Sequence, residues 1–136
     1  MAGPFQYQIA ATVRTSGNQI HFRNLAPAFD VTVSSTSNLE LVPALLDSGA
    51  SRTVIPHEVA VRLNLTLITD DVGVTVASGQ TSTRPLYVAD LSFLGLNFPR
   101  HPVITFPDRE HILIGREIMN RFKTTLDGPN RQFFLE

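Results

Sequence analysis

Short runs of β-branched and aromatic residues, broken by turn signals at about ten-residue spacing, recur along the whole chain and constrain it more than any other feature. Phe5 to Val13, Gln19 to Arg23 and Phe29 to Ser34 read as strands, separated by Ser16-Gly17-Asn18 and by Asn24 to Pro27; the first two should form a hairpin. After the polar cluster Ser34 to Asn38, Leu39 to Leu46 resumes as an apolar strand, and its Pro43 predicts an edge or a bend. Behind Pro56, suited to a first helical turn, Val59, Val61 and Leu63 suggest a short helix. Period-two alternation returns in Val72 to Val76. A Ser78-Gly79 turn and Thr81 to Ala89 complete a second hairpin.

Further strands fit Leu91 to Leu96, Pro102 to Phe106 and His111 to Ile114, followed by a helical turn over Arg116 to Phe122. A third hairpin, Phe122 to Leu126 and Gln132 to Leu135, turns around Asp127-Gly128-Pro129-Asn130. This pattern predicts an all-β, closed or sandwich-like fold with one or two short helices. A chain of 136 residues without internal repeats or a linker reads as one domain, 1–136.

Composition excludes several function classes. Without cysteine there is no disulfide, thiolate nucleophile or sulfur-based zinc site. Eleven basic and 12 acidic residues, dispersed, leave no basic stripe for nucleic acid. The apolar runs are too short to span a bilayer and no secretory signal follows Met1, so a cytoplasmic, non-membrane protein is expected. His21, His57, His101 and His111 lack metal-ligand spacing, and no metal or cofactor is implied. No Gly-x-Ser-x-Gly elbow is present, Asp70-Asp71 reads as a solvated turn, and Arg14, Arg23, Arg62 and Arg121 are too dispersed for a phosphate site.

One segment carries chemistry. In Leu45-Leu46-Asp47-Ser48-Gly49-Ala50-Ser51 a carboxylate ends an apolar strand, where an unpaired charge is costly and must be hydrogen-bonded, paired or protonated. Ser48 can donate a hydroxyl and Gly49 permits a tight turn. Asp-Ser-Gly is also an ordinary turn tripeptide. Its place between the apolar Leu41 to Leu46 and Thr53 to Pro56, and the later Ile112-Leu113-Ile114-Gly115-Arg116, favour a built site.

With Asp47-Ser48-Gly49-Ala50, Ile55-Pro56, the Ser78-Gly79 hairpin and Ile112-Leu113-Ile114-Gly115-Arg116-Glu117 in this order, the chain from about Leu41 to Glu136 resembles the retropepsin-like aspartic proteases. The resemblance implies one lobe of an aspartic protease, a closed β fold in which the Asp47 loop and the Ile112 to Gly115 strand cross in a psi shape. The hairpin at about 72–89 would then be a flap over an extended polypeptide. A lone Asp-Ser-Gly gives each protomer half a site, so the resemblance implies a homodimer that brings two Asp47 together.

Ser48 is then expected to hydrogen-bond across the twofold axis, Gly49 to offer its carbonyl to peptide, and Ala50 to leave room. Val76, Ala77, Ser78 and Gly79 would cover the substrate, with Val54, Ile55, Val76 and Ile114 supplying apolar walls. Gly115 and Arg116 would support the site. Retroviral enzymes carry an acidic residue where this chain has Ser51, which leaves Glu117, Asp108 or backbone carbonyls as partners for Arg116. The interleaved-termini interface of retroviral enzymes is not assumed. An alternative is a catalytically silent dimerisation or peptide-binding module on the same fold.

Overall fold

The computed structural model describes residues 3–14 and 21–136, with only the backbone described for 10–14 and 21–24. In chain order the elements are β1 (Phe5–Gln6), β2 (Gln8–Arg14), β3 (His21–Ala26), β4 (Ala28–Ser34), β5 (Leu39–Leu46) and β6 (Val54–Pro56). There follow α1 (His57–Arg62), β7 (Thr66–Thr75), β8 (Thr81–Phe93), β9 (Leu96–Phe106), β10 (Ile112–Ile114), α2 (Arg116–Met119), β11 (Thr124–Asp127) and β12 (Gln132–Leu135). The expected Ser16-Gly17-Asn18 turn lies outside the described residues, as do the side chains of His21, Arg14 and Arg23.

The main sheet runs β4-β5-β10-β6-β9-β8-β7, and a second edge of β4 pairs with β8 through Thr32↔Ser92, Val33↔Leu91 and Ser34↔Asp90. That pairing closes the sheet into a barrel, which removes most open edges. Strand alternation fills its interior: Val31 and Val33 of β4 are fully buried, while Asp30 before them is exposed and Thr32 between them is half-buried. Phe29 stacks on Phe93 (4.9 Å) and Phe93 on Phe98 (5.2 Å), pairs that each add about 1 kcal/mol beyond area burial.

A small sheet, β1-β12-β11, covers the Phe29 end of this core. Phe133 of β12 is fully buried against Phe5 and Phe29, with centroids 5.3 and 5.9 Å away. Burying such a side chain stabilises the fold by about 2–3 kcal/mol. The C-terminal strand is therefore already paired within its own chain, with β1 on one side and β11 on the other.

β10 positions the site. It runs parallel to β5 (Ile112↔Ala44, Leu113↔Leu45, Ile114↔Leu46) and antiparallel to β6 (Leu113↔Val54). The connection 47–53 between β5 and β6 consequently loops around the end of β10, which is the psi crossing expected above.

Several boundaries differ from the sequence reading for identifiable reasons. β3 continues through Ala26, so Asn24 to Pro27 is not a loop. Pro43 lies in a strand with neighbours on both sides. Leu46 N–H donates to Pro27 O (3.1 Å), so even-numbered amides of β5 face β4, and Pro43 faces the other side, where β10 pairing starts only at Ala44. Pro56 is the N-cap of α1 rather than its first residue, and Val61 is exposed while Val59 and Leu63 are buried.

Asp70-Asp71 belongs to β7, where register shifts between Leu67 and Val72 bulge the strand and let both acids face solvent. Leu91 to Leu96 is not one strand. It is the tip of the β8–β9 hairpin, with Leu94 and Gly95 at φ 52° and 77° in the two-residue turn that a right-twisted hairpin requires. Leucine is a poor residue for that conformation, which hides the turn from composition.

Candidate active site

The loop carrying Asp47 is tied to β10, Gly115 and α2 through Asp47, Ser48, Ala50 and Thr53. Asp47 N–H donates to Ile114 O (2.9 Å), Ala50 N–H to Asp47 O (3.1 Å) and Arg116 N–H to Ala50 O (2.8 Å). Gly49 N–H donates to Asp47 Oδ1 (2.9 Å), and among the described residues no hydrogen bond to the other carboxylate oxygen is found. Asp47 itself is half-buried and Ser48 and Gly49 are exposed.

Arg116 is settled by Ser48: its Nη1 donates to the Ser48 carbonyl oxygen at 2.9 Å. Of the partners considered above, a backbone carbonyl is therefore the one found. Glu117 turns the opposite way. Its Oε2 accepts from Thr53 N–H (2.9 Å) and from His101 Nε2 (2.9 Å), and its Oε1 accepts from Thr53 Oγ1 (3.0 Å). The fully buried Thr53 hydroxyl in turn accepts from Gly115 N–H (3.2 Å). Every buried polar group in this network has a partner, the condition under which such a network rigidifies a core.

Burial pushes the Glu117 carboxyl up, but the hydrogen bonds from His101 and Thr53 outweigh it and hold the group below the ordinary glutamate range. The charge is thus kept where it braces both arms of the crossing. Gly115 is required by space. A Cβ there would sit 2.5 Å from the Arg52 carbonyl carbon and 2.7 Å from its oxygen, so only glycine lets β10 pass this close to the loop.

A cavity of about 330 Å³ opens between this loop and the β7–β8 hairpin. Of the residues singled out from sequence, Asp47, Gly49, Ala50, Val54, Val76 and Ala77 line it. Ser48, Ser78, Gly79, Gly115 and Arg116 do not. Ile114, expected in its wall, is fully buried in the barrel core together with Ile55, because alternation along β10 sends Leu113 to the cavity instead. The hairpin tip is formed by Gly79 N–H to Val76 O (2.9 Å) and Val76 N–H to Gln80 O (3.0 Å), with Gly79 at φ 87°.

Sequence reasoning missed Arg52, Val74, Thr75, Ile104, Phe106, Arg109 and Leu113 in the lining. Ile104 and Phe106 share one face of β9, and that spacing was a usable signal. The Glu117–His101–Thr53 network had none, since its members are far apart in sequence. Among the described residues no group of three or more His, Asp or Glu is placed to hold a metal, and no helix is long and apolar enough to cross a membrane.

Solved structures share this architecture. The EIAV protease complexed with the inhibitor HBY-793 aligns with a TM-score of 0.56 at 17% identity, covering 80% of this chain and 93% of that one. A retropepsin-like aspartic protease from Rickettsia conorii aligns at 0.53 and 14% identity, covering 96% of this chain and 95% of the other. The fold is retropepsin-like. Residues 30–118 match the model of the family described as aspartyl protease, and the chain belongs to that family. Among curated proteins, none matches the chain.

Proposed function

We propose that the protein is an aspartic endopeptidase in which Asp47 of two protomers, related by a twofold axis, activates water between them. The observation that carries this reading is a braced loop presenting one carboxylate, with one oxygen held by Gly49 N–H, on the wall of a cavity that a hairpin overhangs. A single carboxylate cannot both take a proton from water and give one to a carbonyl oxygen. Two within about 3 Å can, because like charges that close do not both ionise and one proton stays between them.

In the proposed reaction the ionised Asp47 takes a proton as the water oxygen bonds to the peptide carbonyl carbon, while the protonated Asp47 of the second protomer gives its proton to the carbonyl oxygen. Collapse of the resulting diol breaks the C–N bond, and a proton passes to the leaving amine. The apparent pKa values belong to the pair and not to either residue.

Residues 1–136 act in this reading as one protease domain, with 72–89 as its flap. Ser48 hydrogen-bonds across the axis, Gly49 offers its carbonyl to the substrate backbone and Ala50 leaves space beside it. Gly115 and Arg116 support the loop, consistent with the hydrogen bond from Arg116 to Ser48 O. Val76 and Ala77, with Ser78 and Gly79 at the tip, close over an extended polypeptide and exclude water. Val54 and Leu113 form the apolar wall.

Wild-type protein and Asp47→Asn are incubated with a denatured protein and a peptide library between about pH 4 and 7. Cleavage by the wild type that drops at least about 10³-fold in the variant is the expected result. Equal silence from both, with folding intact by circular dichroism, contradicts the enzyme and favours a binding module.

A further inference from the structure

The cavity beside Asp47 is not the purely apolar slot that its valines suggest. Two arginines, Arg52 from the loop and Arg109 from the segment between β9 and β10, line it, and Asp47 is the single acidic residue in the lining. Neither joins an ion pair among the described residues, where the pairs found are Arg62–Glu40 and His101–Glu117. Arg109 also borders the neighbouring cleft that contains Glu40, Glu58 and Glu110, yet none of these comes within ion-pair distance of it.

Arg109 Nε is moreover the one buried side-chain donor that lacks an acceptor among the described residues. An unpaired buried donor on a charged group is unfavourable, and native proteins leave few of them. Arg109 as a whole is only half-buried and borders the cavity, so the accessible part of its guanidinium can meet a carboxylate there, and guanidinium matches carboxylate in planar, two-bonded geometry.

We infer that Arg109, with Arg52, forms an acid-recognising subsite, so that the substrates are extended polypeptides carrying an aspartate or glutamate side chain close to the scissile bond. This rests on reading the cavity as the substrate cleft. Apolar contacts with Val54 and Leu113 remain part of recognition, and the arginines add a charge requirement to them. A twofold assembly repeats the subsite, placing one on each side of the cleavage point. While the Asp47 pair shares a proton its charge is further reduced, and the arginines dominate the field over the cleft.

Peptide pairs that differ only in Glu against Gln at each position flanking the cleaved bond are compared at about pH 5.5, where free glutamate is ionised. The same pairs, fluorescently labelled, are titrated against Asp47→Asn protein, so that recognition is read without turnover. The Glu peptide is expected to be preferred about tenfold or more in both assays at its best position, and raising the salt narrows the ratio. Arg109→Gln combined with Arg52→Gln brings the ratio close to one.

Cleavage without preference for Glu, or a preference that persists in the arginine variants, overturns the subsite and leaves the endopeptidase standing. Absent cleavage with selective binding that the arginine variants lose sinks the endopeptidase and keeps the subsite. Failure of both assays overturns both.

Discussion

The loop that carries Asp47 and the hairpin that faces it across the cavity are both short connections between strands, and they are held in opposite ways. The loop is fixed from behind by Ile114, Thr53, Gly115 and Arg116, and Glu117 and His101 brace that backing with hydrogen bonds to groups far away in sequence. Residues 76–83 of the hairpin are all exposed, and a Cβ added at Gly79 would meet nothing within 4 Å. β7 pairs with β8 alone among the described residues.

The contrast teaches where rigidity is needed. A carboxylate pair works only within a few tenths of an ångström, which demands a shell of satisfied, buried groups. As the flap of the proposed protease, the hairpin must open for substrate and so belongs to the low-stability end of the molecule. Substitutions behind the loop should accordingly cost global stability, whereas those in the hairpin should cost turnover.

The largest effect on stability is expected at Gly115. Gly115→Ala forces a Cβ into the Arg52 backbone and should destabilise the protein by about 3 kcal/mol in urea unfolding. A loss below about 0.5 kcal/mol would mean that loop and strand are not locked together as described.

Next comes Glu117→Gln, expected to cost about 2 kcal/mol near neutral pH by weakening the hydrogen bonds to Thr53 and His101. Because the folded-state pKa of Glu117 lies below its unfolded value, the stability that its charge contributes is complete above the ordinary carboxylate range. It is lost as pH falls through the folded value. The gap between wild type and Glu117→Gln should therefore be constant from neutral pH into mild acid and close only below about pH 4. A gap that closed already near pH 6 would contradict this assignment.

The smallest effect on stability should come from Gly79→Ala. At φ 87° the added methyl strains the turn by about 1 kcal/mol, and in an element outside the core much of that is absorbed locally. The melting temperature should hardly move, while kcat/KM falls a few-fold because the tip closes less well. Comparable losses of both would erase the distinction between braced loop and free lid.

What could be read from the amino-acid order follows the same division. Alternation and turn chemistry are local, so β4, β5, the β11–β12 hairpin and the Asp47 loop were legible within a residue or two, as was the tip of the β7–β8 hairpin, whereas β7 starts at Thr66, six residues before the alternation read from Val72, and β8 runs on to Phe93. The Leu94-Gly95 turn was not, because tertiary pairing of β8 with β9 overrides leucine's preference. Arg109 and the Glu117 network lay beyond reach because their meaning comes from partners that only the closed barrel brings near, or, for Arg109 Nε, from the lack of one. Ile114 and Leu113 exchange roles because strand alternation fixes parity, but which parity faces the cavity depends on the sheet around it.

The central claim is that each active site needs Asp47 from two chains, and mixing tests it most directly. Wild type and Asp47→Asn are combined at varied ratio and constant total concentration, dissociated, allowed to reassociate, and assayed. If mixed pairs are inactive, an equal mixture retains about a quarter of the wild-type activity, following the square of the wild-type fraction. Retention of about half, linear throughout, as from sites each built on one chain's own Asp47, or of about three-quarters, as from a shared site that needs only one, would contradict the account.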